Sequence, residues 1–340
     1  MTTTESKAVQ NIVPRMMVGT DDFYELLVNS DVFVDKSLMI KELLEDHSKV
    51  LLIIRPRRFG KSLNMNMLKK FFEIEIDQEG MPLPKEDRIN HKLFIGGEID
   101  LGLASGKKRL LKKLKIAQYS DIISDYQGQF PVISINFKDV KGNNYQEIES
   151  GIRNQVTKLF ANHYYLKHPI AKDTILLDKA QKGKLTRYFD GEFTKEDLKD
   201  SVAFLSELLY KHFNQKVYIL IDEYDTPINS SYIKFGNKPE EFEQVLELFR
   251  GIFGSSLKSN PYLEKGVITG ILRVAKANLF SDLNNVTEYT LLDEDFSEFY
   301  GFTQAEVDEL LTIVPTKTSP DQIKDWYNGY TFGGRIIYNP

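Results

Sequence analysis

Four short apolar runs govern what this chain can fold into: Val50-Leu51-Leu52-Ile53-Ile54, Val132-Ile133-Ser134-Ile135-Asn136-Phe137, Val217-Tyr218-Ile219-Leu220-Ile221 and Gly266-Val267-Ile268-Thr269-Gly270. A strand with one wet face alternates apolar and polar residues. A strand covered on both faces does not, and that is the usual condition of a parallel sheet. A weaker fifth candidate spans 287–291. Amphipathic stretches at 62–73, 145–165, 195–212 and 239–257 lie between the runs, each long enough for a crossover helix. The expected fold is α/β, a doubly wound parallel sheet with helices on both faces. Ligands of such sheets sit beyond the carboxyl ends of the strands.

The chain has 340 residues, 41% hydrophobic and 27% charged, so it can bury a sizeable core. Its formal charge of -5 argues against a surface that is basic overall and built for nucleic acid. With no cysteine, disulfides, thiolate metal sites and cysteine nucleophiles are excluded. No stretch approaches the roughly 18 consecutive apolar residues of a membrane span, and the start has no leader-like apolar run. A soluble, cytoplasmic protein is the expectation. The core is expected over 1–300, with a flexible start at 1–17. From 301 to 340 the texture changes to short helical patterns at 303–313 and 319–327, read as a small C-terminal helical lid. Its stop straight after a strand-like Arg335-Ile336-Ile337-Tyr338 reads as a truncation.

The first run leads into Arg55-Pro56-Arg57-Arg58-Phe59-Gly60-Lys61-Ser62-Leu63 and then a helical pattern. A phosphate-binding loop, or P-loop, occupies such a strand-to-helix junction. Gly60 would let the backbone approach a phosphate, and the N–H groups of Gly60, Lys61 and Ser62 would direct partial positive charge at it. Lys61 would reach the β and γ phosphates and Ser62 would ligate Mg²⁺. Arg57, Arg58, Phe59 and Leu63 complete the candidate nucleotide-binding set. Arg55 stands where the full pattern has its first glycine. The three arginines either grip phosphate or are solvated and salt-bridged.

The third run ends in Asp222-Glu223, two carboxylates that repel one another unless a cation lies nearby. Asp222 would hold Mg²⁺, and Glu223 would orient and deprotonate the attacking water. Asp225 is either an anchor for an arginine or lysine or an exposed loop residue. The fourth run ends in Thr269-Gly270, with Arg273 three residues on. Thr269 would sense the γ phosphate and Arg273 would stabilise the transferring phosphoryl group. The alternative is turn chemistry beside a structural ion pair.

Val34-Asp35-Lys36-Ser37, the 55–62 string, Leu220-Ile221-Asp222-Glu223-Tyr224-Asp225, Thr269-Gly270-Ile271, Ser281-Asp282-Leu283-Asn284-Asn285, Phe302-Thr303 and Trp326-Tyr327-Asn328-Gly329-Tyr330 occur in one order. As a set they resemble the AAA-ATPase-like family, from about Val18 to the end. The resemblance implies a P-loop ATPase module, with arginine at the first glycine as the family's own usage. It also implies a C-terminal nuclease-like domain of the PD-(D/E)xK type, expected to be absent from this chain. Val34 to Ser37 would either touch base and ribose or serve the structure. Adenine over guanine rests on resemblance, since no Asn-Lys-x-Asp string is present.

The segment 106–115 reads as an amphipathic basic helix with Lys108, Lys112 and Lys115 on one face, either solvated or docking an acidic partner or nucleic acid. The leading function is Mg²⁺-dependent ATP binding and hydrolysis that couples nucleotide state to lid or effector position. A nucleotide-binding interaction module with little turnover, self-associating or recruiting an effector protein, is the second. A P-loop phosphotransferase is the third.

Overall fold

The apolar runs pair as their composition requires. A computed structural model describes residues 14–102, 106–167, 175–235, 238–272, 279, 283–314, 322 and 329–340. Its strands in chain order are β1 Val50–Ile54, β2 Gly97–Asp100, β3 Lys108–Leu111, β4 Val132–Asn136, β5 Val217–Asp222, β6 Leu263–Gly270, β7 Val286–Tyr289, β8 Phe302–Thr303, β9 Tyr330–Phe332 and β10 Arg335–Tyr338. Among the described residues the main sheet is parallel throughout, in the order β4-β5-β6-β1-β7. From β1 the chain runs to the far edge at β4, returns through β5 and β6 to the side of β1, then crosses β1 to β7. The winding therefore reverses around β1, the place where open α/β sheets bind ligands.

Both faces of β1 and β5 are buried, which explains their apolar runs, while the edge strand β4 exposes Ser134. Val50, Leu52 and Ile54 of β1 and Val217, Ile219 and Ile221 of β5 enter one core, with the helices Tyr145–Asn162, Lys195–Phe213 and Pro239–Phe253. Leu51, Ile53, Tyr218 and Leu220 enter the other, with Phe23–Asn29, Met39–Glu45, Lys61–Phe72 and Ile89–Ile95. Each fully buried side chain of this size contributes about 1.5–3 kcal/mol. The helix starts are capped locally, Asn144 accepting from the Glu147 amide and Thr194 forming a capping box with Asp197.

Two expectations require correction. The basic segment is not a helix: β3 pairs antiparallel with β2, and a short 3-10 turn, Lys115–Gln118, follows. Leu110 is exposed while Leu111 is buried against the second core, the alternation of a strand. Part of its charge is paired, with Lys108 2.6 Å from Glu98 and Arg109 3.0 Å from Asp31.

The C-terminal part is not purely helical. The helix Gln304–Ile313 forms behind a Thr303–Glu306 capping box, but β8, β10 and β9 make an antiparallel sheet beside it. Its hairpin turns on Gly333 and Gly334, both at positive φ (51° and 80°), a conformation that glycine adopts without steric penalty. The helical pattern at 319–327 lies outside the described residues apart from Gln322. Of the start expected to be flexible, 1–13 lie outside them too, while Arg15 pairs with Asp31 and the Met17 amide donates to Ser30. Among the described residues no helix is long and apolar enough to cross a membrane.

Candidate functional site

Strand register builds the site. Asn136 on β4 lies opposite Asp222 on β5, and Ile221 lies opposite Ile268, so Asp222 stands between Asn136 and Thr269 at the carboxyl edge. Asp222 is 4% exposed and fully engaged. Its Oδ1 accepts from the Thr269 hydroxyl at 2.5 Å, and its Oδ2 accepts from Ser62 Oγ at 2.6 Å and Asn136 Nδ2 at 2.8 Å. Hydrogen bonds to a charged group are worth about 1.5–3 kcal/mol each, which fixes the carboxylate's direction.

The loop from β1 reaches this edge through two left-handed residues, Arg58 (φ 66°) and Gly60 (φ 80°). A side chain at such a φ costs about 1–2 kcal/mol, so Arg58 stores strain that Gly60 avoids. A Cβ built on Gly60 would meet nothing within 4 Å, so dihedral angle rather than space demands glycine there. Gly60 is the N-cap of Lys61–Phe72, whose first amides have no intrahelical acceptor and attract anions. Lys61 is 5% exposed and its Nζ donates to the Pro56 carbonyl at 2.8 Å. Burial lowers its pKa, with Asp222 and Glu223 pulling the other way.

Glu223 follows Asp222 with φ at 52°, a strained conformation for a residue with a side chain, and its Oε2 accepts from Thr226 Oγ1 at 3.0 Å. Asp225 is buried. Its Oδ2 accepts from the Ile271 and Leu272 amides at 3.0 and 2.9 Å and from Asn229 Nδ2 at 3.2 Å. The Tyr224 hydroxyl donates to the Leu272 carbonyl at 2.8 Å. Asp225 is therefore an anchor, but of the backbone leading from Thr269 rather than of an arginine or lysine. Arg273 itself lies outside the described residues.

Gly60, Lys61, Ser62, Asp222 and Thr269 thus converge, with Glu223 beside them. Arg57 and Arg58 are exposed. The Phe59 ring turns away into the protein and Leu63 packs against the second core. Arg55 is fully buried, donating to the carbonyls of Ile54, Tyr289, Thr290 and Asp295. Asp35 accepts from the Ser37 and Lys115 amides, and the Ser37 hydroxyl accepts from the Ile116 amide. Lys36 bonds both carboxylate oxygens of Glu306. The 34–37 string is therefore tied into the structure by its own hydrogen bonds.

A family model described as a predicted AAA-ATPase matches residues 17–83 and 100–280. The chain belongs to the AAA-ATPase-like family. The matched residues of this AAA-ATPase-like chain include 55–62, Asp222, Glu223 and Thr269, every strand of the main sheet except β7, and the order of that sheet is compatible with a P-loop NTPase. A relative, the uncharacterized protein in the vnfD 5'region of Azotobacter chroococcum mcd 1, is 23% identical over 327 residues. The alignment covers 96% of this chain and 50% of that protein, so the chain spans about half the length of the relative it matches.

Sequence reasoning missed Asn136 in this AAA-ATPase-like site. It ends strand β4, but Phe137 after it keeps it inside the apolar run, and only the pairing of β4 with β5 gives it a partner.

Proposed function

We propose that this site binds ATP with Mg²⁺ and hydrolyses it. The observation that carries the reading is the 2.6 Å hydrogen bond from Ser62, in the first turn of Lys61–Phe72, to Asp222 at the end of β5. It brings a hydroxyl and a carboxylate together at a helix N-terminus that favours anions. Such oxygen donors suit Mg²⁺, which takes one or two carboxylates and completes its shell with phosphate and water. Bound there by Ser62 and Asp222, the ion would neutralise charge on the phosphate oxygens.

The remaining groups would divide the work. The Gly60, Lys61 and Ser62 amides would orient the phosphates, and the Lys61 ammonium would offset charge that grows in the transition state. Glu223 would take the proton of the attacking water, with Thr269 and Asn136 holding Asp222 in place. Arg57 and Arg58, exposed on the loop, would reach outer phosphate oxygens, and Arg273 would stabilise the transferring phosphoryl group. ATP state would pass from this site to the C-terminal segment or to a partner protein.

Phosphate release by wild type and Glu223→Gln tests the reading. A positioned general base is worth about 10²–10⁴-fold, so the variant should lose that much turnover yet still bind Mg·ATP. Binding by wild type without phosphate release would leave a nucleotide switch instead. A phosphorylated small acceptor would mark a phosphotransferase.

A further inference from the structure

The loop 55–60 has two faces, and the proposed nucleotide reading uses only one. The other is plugged into the C-terminal part of the chain. Phe59 is 1% exposed, its ring edge-on to Tyr330 at 5.1 Å and tilted on Phe332 at 5.2 Å. A Cβ on Gly301 would lie 2.8 Å from the Phe59 ring and 2.5 Å from the Tyr338 carbonyl, so the fit has no slack. Asn64, in the first turn of the helix, donates from Nδ2 to the Phe299 carbonyl at 2.9 Å.

Arg55 makes the same connection by charge. Its Nη1 donates to the Tyr289 carbonyl at 3.1 Å and the Thr290 carbonyl at 2.6 Å, and its Nη2 to the Asp295 carbonyl at 3.2 Å. The guanidinium carbon lies 5.4 Å from the centre of the Tyr300 ring and 5.5 Å from that of Phe332. Carbonyl dipoles and ring faces hold this buried cation, and most of them come from 289–300 and 332. If that segment withdrew, Arg55 would lose most of its partners and the loop could not keep its shape.

We infer that Arg55 and Phe59 are positioning residues through which docking of 290–303 and 330–338 sets the affinity of the loop for the phosphates of a nucleoside triphosphate. The inference rests on the proposed function, which supplies the ligand. Duties divide along the junction: Arg55 and Phe59 of the loop and Asn64 of the helix report the C-terminal segment, while Gly60, Lys61 and Ser62 face the sheet edge with Asp222. A partner that pulls on the segment would weaken nucleotide binding, and bound nucleotide would hold the segment down by the same coupling.

The experiment titrates Mg·ATP into wild type, Phe59→Leu, Arg55→Lys and Tyr330→Ala, and follows hydrogen exchange of 60–65 and 330–338. Tyr330 is half-exposed and outside the loop, so its loss should leave the fold intact. Tyr330→Ala should weaken Mg·ATP binding about tenfold, as expected for loss of an aromatic contact. It should also speed exchange in 60–65. Phe59→Leu, which removes the same ring pair, and Arg55→Lys, which keeps charge but loses the fork, should each weaken binding at least as much. Unchanged affinity in Tyr330→Ala overturns the inference. Should wild type bind no nucleotide, the proposed function fails by itself. The inference is then judged by exchange, and unaltered exchange at 60–65 in Tyr330→Ala refutes it.

Discussion

Ser62 and Asp222 lie 160 residues apart in the chain and 2.6 Å apart in space, joined by a hydrogen bond that links the first turn of a helix to the end of a buried strand. Asp222→Asn keeps the shape but removes the negative charge a divalent cation needs. The variant should remain folded and lose its response to the cation. For wild type at a hundred times its dissociation constant, Mg·ATP should add about 2.7 kcal/mol of stability. Melting curves with ATP, with and without Mg²⁺, should show that gain in wild type and none that depends on Mg²⁺ in Asp222→Asn. Asp222→Ala should instead lose about 1–3 kcal/mol, because buried donors from Asn136 and Thr269 lose their acceptor.

Lys61 gives the site a pH signature. Burial lowers its folded-state pKa below that of the unfolded chain. Between the two values the unfolded chain binds more protons, so stability rises with pH across that alkaline window. Nucleotide binding runs the other way. Phosphate oxyanions favour the ammonium and raise its pKa, so binding takes up protons there and weakens as pH rises. Calorimetric titration at alkaline pH in two buffers of different ionisation enthalpy should register proton uptake, and Lys61→Met should abolish the uptake and reduce the stability slope, to which the partly buried Lys36, Lys49 and Lys265 also contribute.

What could be read from the residues divides along physical lines. Val50 to Ile54 and Val217 to Ile221 announced parallel strands because burial on both faces removes the polar alternate positions. Asp222 and Thr269 were legible because a polar residue ending such a run must sit at the ligand edge. Asn136, Asp225 and Arg55 owe their roles to partners 86, 46 and 235 residues away, which local pattern does not carry. The 108–111 strand was misread as helix because it is too short for period 2 and period 3.6 to differ clearly. Of the C-terminal sheet only the strand-like 335–338 was legible; its partners 302–303 and 330–332 are two and three residues long, too short to show a period.

Two glycines at the sheet edge should respond oppositely to alanine. A Cβ on Gly270 would lie 2.5 Å from the Tyr224 ring and 2.8 Å from Asp225 Oδ1, both buried, so Gly270→Ala should lose about 1–3 kcal/mol through overpacking. Gly60→Ala has open space around it and pays only for its φ of 80°, about 1–2 kcal/mol if the loop holds. The loop can also escape by changing shape. Gly60→Ala should therefore show the milder denaturation change of the two and the greater loss of nucleotide affinity, a reversal that urea melts and ATP titration together would reveal.

Lys36 and Glu306 test how firmly the start of the matched region grips the C-terminal helix. Their side chains are 11% and 16% exposed, with Nζ 2.6 Å from Oε2. The same ammonium donates to the Glu298 carbonyl, while Glu306 closes the capping box by accepting from the Thr303 amide at 2.8 Å. Removing one member strands a mostly buried charge, so Lys36→Met should lose about 3 kcal/mol. Glu306→Gln keeps much of the cap but leaves Lys36 without its counter-ion, and should lose less than Lys36→Met. The double variant contains no orphaned charge and should be more stable than the sum of the single losses implies, with a coupling of about 0.5–3 kcal/mol. Urea denaturation of the four proteins measures that coupling. Strict additivity would mean that the pair adds nothing to docking of the helix, which packing against β8 and β10 and the Tyr338–Gln304 hydrogen bond would then carry.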